Sequence, residues 1–166
     1  MVLPLLSALP ASRAGAEGTS LPAAVAGLEI ELIAHATEDL DKVLAAAKNI
    51  LPPGAGERVK FKVKEYKGHY GNPIRLLKAR VRDRELARAI FEHIIARLPE
   101  GDREELLGGL KRRLSGGALY LRLDKQWASL GQIRLCAADP IWVRVRFSSS
   151  RAEDIRAACE GAGQGP

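Results

Sequence analysis

The chain has 166 residues with 26 Lys and Arg against 20 Asp and Glu, a formal net charge of +6, and two cysteines. That length suits one domain able to bury roughly 70% of the surface its unfolded form exposes, and no apolar run approaches the roughly 20 residues that a membrane helix needs. Cys136 and Cys159 form no C-x-x-C pair, which argues against a disulfide framework or a zinc site and for a reducing, cytoplasmic setting.

The apolar stretch Met1 to Leu9 lacks a basic n-region and is interrupted by Pro4 and Pro10, so residues 1–25 are expected to be a disordered extension rather than a signal peptide. Residues 26–148 then read as a single α+β domain. In Leu28 to Ala34 the apolar Leu28, Ile30 and Leu32 alternate with Glu29 and Glu31, the period of a half-buried strand. Thr37 reads as the cap of a helix, with Glu38, Asp39 and Asp41 placed where the helix dipole favours negative charge and Leu40, Val43, Leu44 and Ala47 as its buried stripe. Val59, Phe61 and Val63 alternate with Lys60, Lys62 and Lys64. After Gly68 to Pro73 the alternation returns as Leu77, Ala79 and Val81 against Lys78, Arg80 and Arg82, which predicts a β-hairpin.

Asp83 opens a second helix that buries Leu86, Ala87, Ile90, Phe91, Ile94, Ile95 and Leu98 before Pro99. A third helix is expected to carry Leu106, Leu107, Leu110 and Leu114, ending at Gly116-Gly117. Strands are then predicted through Leu119 to Leu123, Ile133 to Leu135 and Ile141 to Phe147. Residues 149–166 are expected to form a short helix and a flexible tail, because Gly161 to Pro166 has little to bury. The predicted fold class is α+β, an antiparallel sheet with helices on one face and the other face open and basic.

Successive strand residues point to opposite faces, so the partners of the core residues share the outer face. They are Lys60, Lys62, Lys64 and Tyr66, then Lys78, Arg80 and Arg82, then Tyr120 and Arg122, Arg134, and finally Trp142, Arg144 and Arg146. Like charges opposite each other across strands destabilise a sheet, so a face that tolerates Lys and Arg against Lys and Arg fits an anionic ligand whose released counterions offset the repulsion. Tyr66, Tyr120 and Trp142 add stacking surfaces for unpaired bases, and the hairpin tip adds His69, Tyr70 and Asn72. Basic outer residues on amphipathic strands also serve solubility and block edge pairing; Glu29 and Glu31 run against a uniformly cationic face.

The pieces His35-Ala36-Thr37-Glu38-Asp39, Gly68-His69-Tyr70-Gly71-Asn72-Pro73-Ile74, Leu121-Arg122-Leu123-Asp124-Lys125-Gln126 and Ala137-Ala138-Asp139-Pro140-Ile141, in this order, resemble an archaeal family of predicted RNA-binding proteins described as exosome subunits. The resemblance spans about Leu28 to Phe147. It implies an antiparallel sheet backed by helices, similar to the large-subunit ribosomal protein that contacts 5S RNA, and a role near RNA processing or ribosome biogenesis.

The remaining polar motifs read as structural. Thr37 to Asp39 is explained by capping, His35 by a hydrogen bond at a strand end, Asp124 to Gln126 by a strand-exit turn and Lys111 to Arg113 by a solvated helix face. No phosphate loop, nucleophile–base pair or metal-ligand spacing is visible, so no enzyme, no cofactor and no metal are expected. The expected partner is RNA, together with subunits of an RNA-processing complex. The rival expectation is a protein-interaction subunit whose cationic face docks on an acidic partner or on a second copy.

Overall fold

The computed structural model describes residues 21–164. Among the described residues six strands form one antiparallel sheet: β1 (Val25–Ala34), β2 (Lys62–Lys67), β3 (Pro73–Val81), β4 (Leu114–Ser115), β5 (Ala118–Asp124) and β6 (Pro140–Phe147), in the order β2-β3-β1-β6-β5-β4. The helices are α1 (Leu40–Asn49), α2 (Arg84–Arg97), α3 (Glu100–Gly108), α4 (Lys125–Ser129) and α5 (Ala152–Gln164), with a 3₁₀ turn at Leu110–Arg113. Among the described residues no helix is long and apolar enough to cross a membrane.

Alternation builds the core. Leu28, Ile30 and Leu32 of β1, Leu77, Ala79 and Val81 of β3, Leu119, Leu121 and Leu123 of β5, and Ile141, Val143 and Val145 of β6 are all buried on the face that carries the helices. Onto them α2 lays Leu86, Ala87, Ile90, Phe91, Ile94 and Ile95, residues spaced at three and four as one helical stripe requires. Asp83 caps α2 by accepting from the amides of Glu85 and Leu86, and Phe91 meets Phe147 edge-to-face at 5.4 Å. Each such fully buried side chain contributes about 2 kcal/mol.

Several expectations are corrected. Asp39, not Thr37, caps α1, accepting from the amide of Asp41, while Glu38 turns back to the amide of His35. The helix expected to reach Leu114 stops at Gly108, and Leu114 pairs with Leu119 in a hairpin whose turn glycines, Gly116 and Gly117, have φ of 56° and 82°. Two consecutive positive φ values are the signature of a turn matched to strand twist, and glycine adopts them without strain. Ile133 to Leu135 makes only an isolated bridge, Leu135 to Leu123. The expected C-terminal helix is present and buries Ile155 and Cys159, but it runs on to Gln164, burying Ala162, with the carbonyl of Gly163 accepting from Arg103, so Gly161 to Gln164 is packed where a flexible tail was expected. Of the extension expected over residues 1–25, residues 1–20 lie outside the described residues, but its last part is ordered: Ala23 is buried and its amide donates to the Asp154 carbonyl, and the buried Val25 opens β1.

The hairpin of β2 and β3 also departs from the simple amphipathic reading. Val59 is buried and Phe61 half-buried, but they precede β2, and Val63 is 46% exposed. Every residue of β2 is exposed on both faces, because this strand extends past the helical layer and has no core beneath it.

Candidate nucleic-acid interface

The strand register sorts the outer face into rows. Lys62, Lys78, Glu31, Trp142 and Arg122 lie side by side across β2, β3, β1, β6 and β5. The next row holds Arg80, Glu29, Arg144 and Tyr120, and in the row beyond it Arg146 stands beside Gly27 and Ala118, with Arg82 at the end of β3. In the opposite direction the rows are Lys64, Leu76 and Ile33, then Tyr66 and Ile74. The structure thus brings Lys62, Lys64, Tyr66, Lys78, Arg80, Arg82, Tyr120, Arg122, Trp142, Arg144 and Arg146 onto one surface. Lys60 precedes β2 but lines the same groove as Lys62, Lys64, Tyr66, Lys78, Arg80 and Arg82. Arg134 does not belong to this set: with no strand to carry it, its guanidinium lies 3.9 Å over the Trp127 ring and donates to Gln132.

The expected facing of Lys and Arg against Lys and Arg is reduced to one pair, Lys62 with Lys78, because Lys64 faces Leu76 and β1 interposes its carboxylates. Glu29 accepts from Arg80 at 2.8 Å and from Arg144 at 3.4 Å, and Glu31 lies 3.7 Å from Lys78. Burial works to raise the Glu29 carboxyl, but the hydrogen bond and charge of Arg80, then Arg144 and Lys78, hold it below its ordinary value. The cations of the sheet centre are further engaged by rings. Arg144 donates to the Tyr120 hydroxyl at 3.1 Å, a bond that with Glu29 raises its own proton affinity, and Arg122 stacks 4.8 Å over Trp142. Arg146 crosses its neighbour so closely that a side chain at Gly27 would collide with the guanidinium. Among the described residues Lys60, Lys62, Lys64 and Arg82 make no ion pair.

The hairpin tip presents His69, Tyr70 and Asn72. The amide of Gly68 donates to the Asn72 carbonyl and that of Gly71 to the Gly68 carbonyl, and Gly71 has φ of 82°. His69 and Tyr70 pack edge-to-face at 4.7 Å with Tyr70 86% exposed, so turn chemistry fixes the loop and leaves its rings outside.

A polar cluster at the same end of the sheet is built from residues that the sequence offers only in separate motif pieces. Lys125, only 7% exposed, donates to the Ile33 carbonyl at 2.7 Å and pairs with Glu38 at 3.1 Å and Asp139 at 3.0 Å, while His35 Nε2 lies 3.0 Å from the other Asp139 oxygen. Three of the four motif pieces therefore meet through their side chains. A buried ammonium requires such partners, and the contacts hold Asp139 at its left-handed φ of 48°, just before Pro140. Burial works to raise the Asp139 carboxyl, yet hydrogen bonds from His35 and Lys125 hold it low. The ligand atoms of His35, Glu38 and Asp139 lie within 4.8 Å of one another, a spacing that suits a metal ion, but the Lys125 ammonium already contacts both carboxylates. The cluster reads as a clamp joining the ends of β1, β5 and β6.

A protein-family model described as RNA binding matches residues 27–147. The chain belongs to that family. It is 37% identical over 124 residues to an uncharacterized protein of Methanocaldococcus jannaschii, covering 73% of this chain and 82% of that one. It is 33% identical over 125 residues to a protein of Pyrococcus abyssi named an RNA-binding protein, covering 74% and 81%. The crystal structure of a DUF54 protein from Archaeoglobus fulgidus superposes with a TM-score of 0.70 at 28% identity, covering 83% of this chain and 99% of that one. The matched span begins within β1 and ends at the last residue of β6, so the family region contains the whole outer face.

Proposed function

We propose that this protein is a non-catalytic RNA-binding protein of the cytoplasm, accessory to RNA processing of the exosome type or to ribosome biogenesis, and that it engages RNA through the outer sheet face and the hairpin tip. The observation that carries this reading is the group of cations on the hairpin, Lys60, Lys62, Lys64 and Arg82, without ion-pair partners among the described residues, on a chain of the RNA-binding family. Cations held without carboxylates leave folding no electrostatic return, whereas phosphates exchange condensed counterions for them. The two carboxylates that do cluster are both engaged by the Lys125 ammonium, which favours a structural role over catalysis at that end of the sheet.

The test is binding of a generic single-stranded RNA at about 50 mM salt and at higher salt. Affinity that falls steeply with salt, and is lost when Lys78, Arg80 and Arg82 are replaced by Glu in a folded protein, is the expected result. Absence of binding at low salt would instead favour a face that docks on an acidic protein or on a second copy.

A further inference from the structure

The outer face is divided along the strands. Toward the N-terminal end of β1 it is cationic, and toward the hairpin tip it becomes apolar: Tyr66 beside Ile74, and Leu76 beside Ile33. Tyr66 is 48% and Ile33 38% exposed, and Ile74 and Leu76 are half-buried on a face that no helix covers. Among the described residues the exposed large apolar side chains, apart from Leu21 and Leu130, all lie on this hairpin or on the outer face. Such a concentration marks a contact surface, and its border is set by charge. Lys64 lies 6.0 Å from the Tyr66 ring centroid, and Lys62 and Lys78 occupy the next row.

We propose, resting on the RNA-binding reading above, that this face takes an unpaired stretch of RNA in one orientation, with bases over Tyr66, Leu76 and Ile33 and phosphates along Lys62, Lys78 and Arg82. Rows two residues apart along a strand are separated by about 6.8 Å, comparable to the stand-off of a base from its own phosphate. A duplex hides its base faces in the stack and presents phosphates and hydroxyls, so it leaves the apolar corner unused. An acidic peptide would fill the cationic rows and likewise make no use of the corner. Tyr120, which sequence alone offers as a stacking ring, lies half-buried on the far side of the sheet centre with the Arg144 guanidinium 5.9 Å from its ring centroid, away from the apolar corner. Tyr66 replaces it as the principal platform.

The experiment measures fluorescence anisotropy of the full chain with a labelled 12-nucleotide RNA, unpaired or annealed to its complement, and with poly-glutamate as a competitor. Unpaired RNA is expected to bind roughly tenfold tighter than duplex. Tyr66→Ala is expected to weaken the unpaired complex about tenfold with its salt slope unchanged, while Lys78→Ala lowers that slope by about 0.7. Because Tyr66 is exposed, an unchanged melting temperature confirms that the variant is folded, and Tyr66→Phe is expected to keep the affinity. Equal affinity for the two RNAs, or an unaffected Tyr66→Ala, would overturn this orientation while leaving RNA binding intact. Failure of both RNAs to bind at about 50 mM salt, or their full displacement by equimolar poly-glutamate, would remove the RNA-binding reading along with it.

Discussion

The hairpin of β2 and β3 and the centre of the sheet carry the same kinds of residue and use them differently. In the centre each cation has an internal assignment: Arg80 and Arg144 share Glu29, Arg122 covers Trp142, and Arg146 fills the space over Gly27. On the hairpin Lys60, Lys62 and Lys64 make no ion pair among the described residues, Lys64 having only the exposed Tyr66 ring at 6.0 Å, and β2 has no core behind it. Charges that complete the fold and charges held for a ligand are therefore separable on one surface, although both follow the same alternation along the chain.

The largest expected effect lies wholly on the folding side. Lys125→Ala leaves Glu38 and Asp139 facing each other without their ammonium, and is expected to lower stability by about 3 kcal/mol, read as a shifted urea midpoint at constant m-value. If the midpoint holds, the clamp is ornamental and the division between structural and ligand charges fails at its clearest point.

The mirror experiment replaces Lys62 and Lys64 with Glu. RNA affinity is expected to drop about 100-fold, equivalent to about 2.8 kcal/mol, while the urea midpoint stays within about 0.5 kcal/mol of the parent because these side chains touch nothing that folding needs. A large stability loss here would show that the hairpin cations serve the fold after all.

Glu29→Gln sharpens the comparison by moving a central cation into the free class. Losing the ion pairs to Arg80 and Arg144 is expected to destabilise by about 0.5 to 1 kcal/mol, yet to raise RNA affinity about threefold with a steeper salt dependence, as measured by anisotropy titration. Unchanged binding would mean that RNA does not reach the sheet centre.

The smallest effect concerns acid. The Glu29 and Asp139 carboxyls are held below their ordinary values in the folded state, so their contribution is fully present above the ordinary carboxylate range and is lost as pH falls through and below it. Melting temperature followed from pH 7 downward is expected to show a decline in that range that is shallower in Glu29→Gln.

Much of the fold is legible in the chain. Alternation of Leu28, Ile30 and Leu32, of Leu77, Ala79 and Val81 and of Val143 and Val145 identifies the core face, and Asp83 marks the start of α2 where it is found. The same parity also encodes the apolar corner: the even positions of β3 that give Lys78 and Arg80 put Ile74 and Leu76 outside, and the odd positions of β1 put Ile33 there beside Glu29 and Glu31. What alternation cannot supply is the register between strands. Only pairing shows that Lys64 faces Leu76 rather than a cation, and that Glu29 stands between Arg80 and Arg144. The Lys125 cluster is hidden for a related reason, since its partners come from Ile33, Glu38 and Asp139, far apart in the chain and joined only when β1, β5 and β6 end together. Arg134 misleads because a two-residue apolar alternation is too short to define a strand.

The separation between folding charges and ligand charges is tested most sharply by the salt dependence of unpaired-RNA binding, compared between the parent and the triple variant Lys60→Ala, Lys62→Ala and Lys64→Ala. The slope of log affinity against log salt is expected to fall by about 2, at about 0.7 for each phosphate that no longer meets a lysine on a single strand, with the melting temperature preserved. A slope unchanged in the triple variant would contradict that separation.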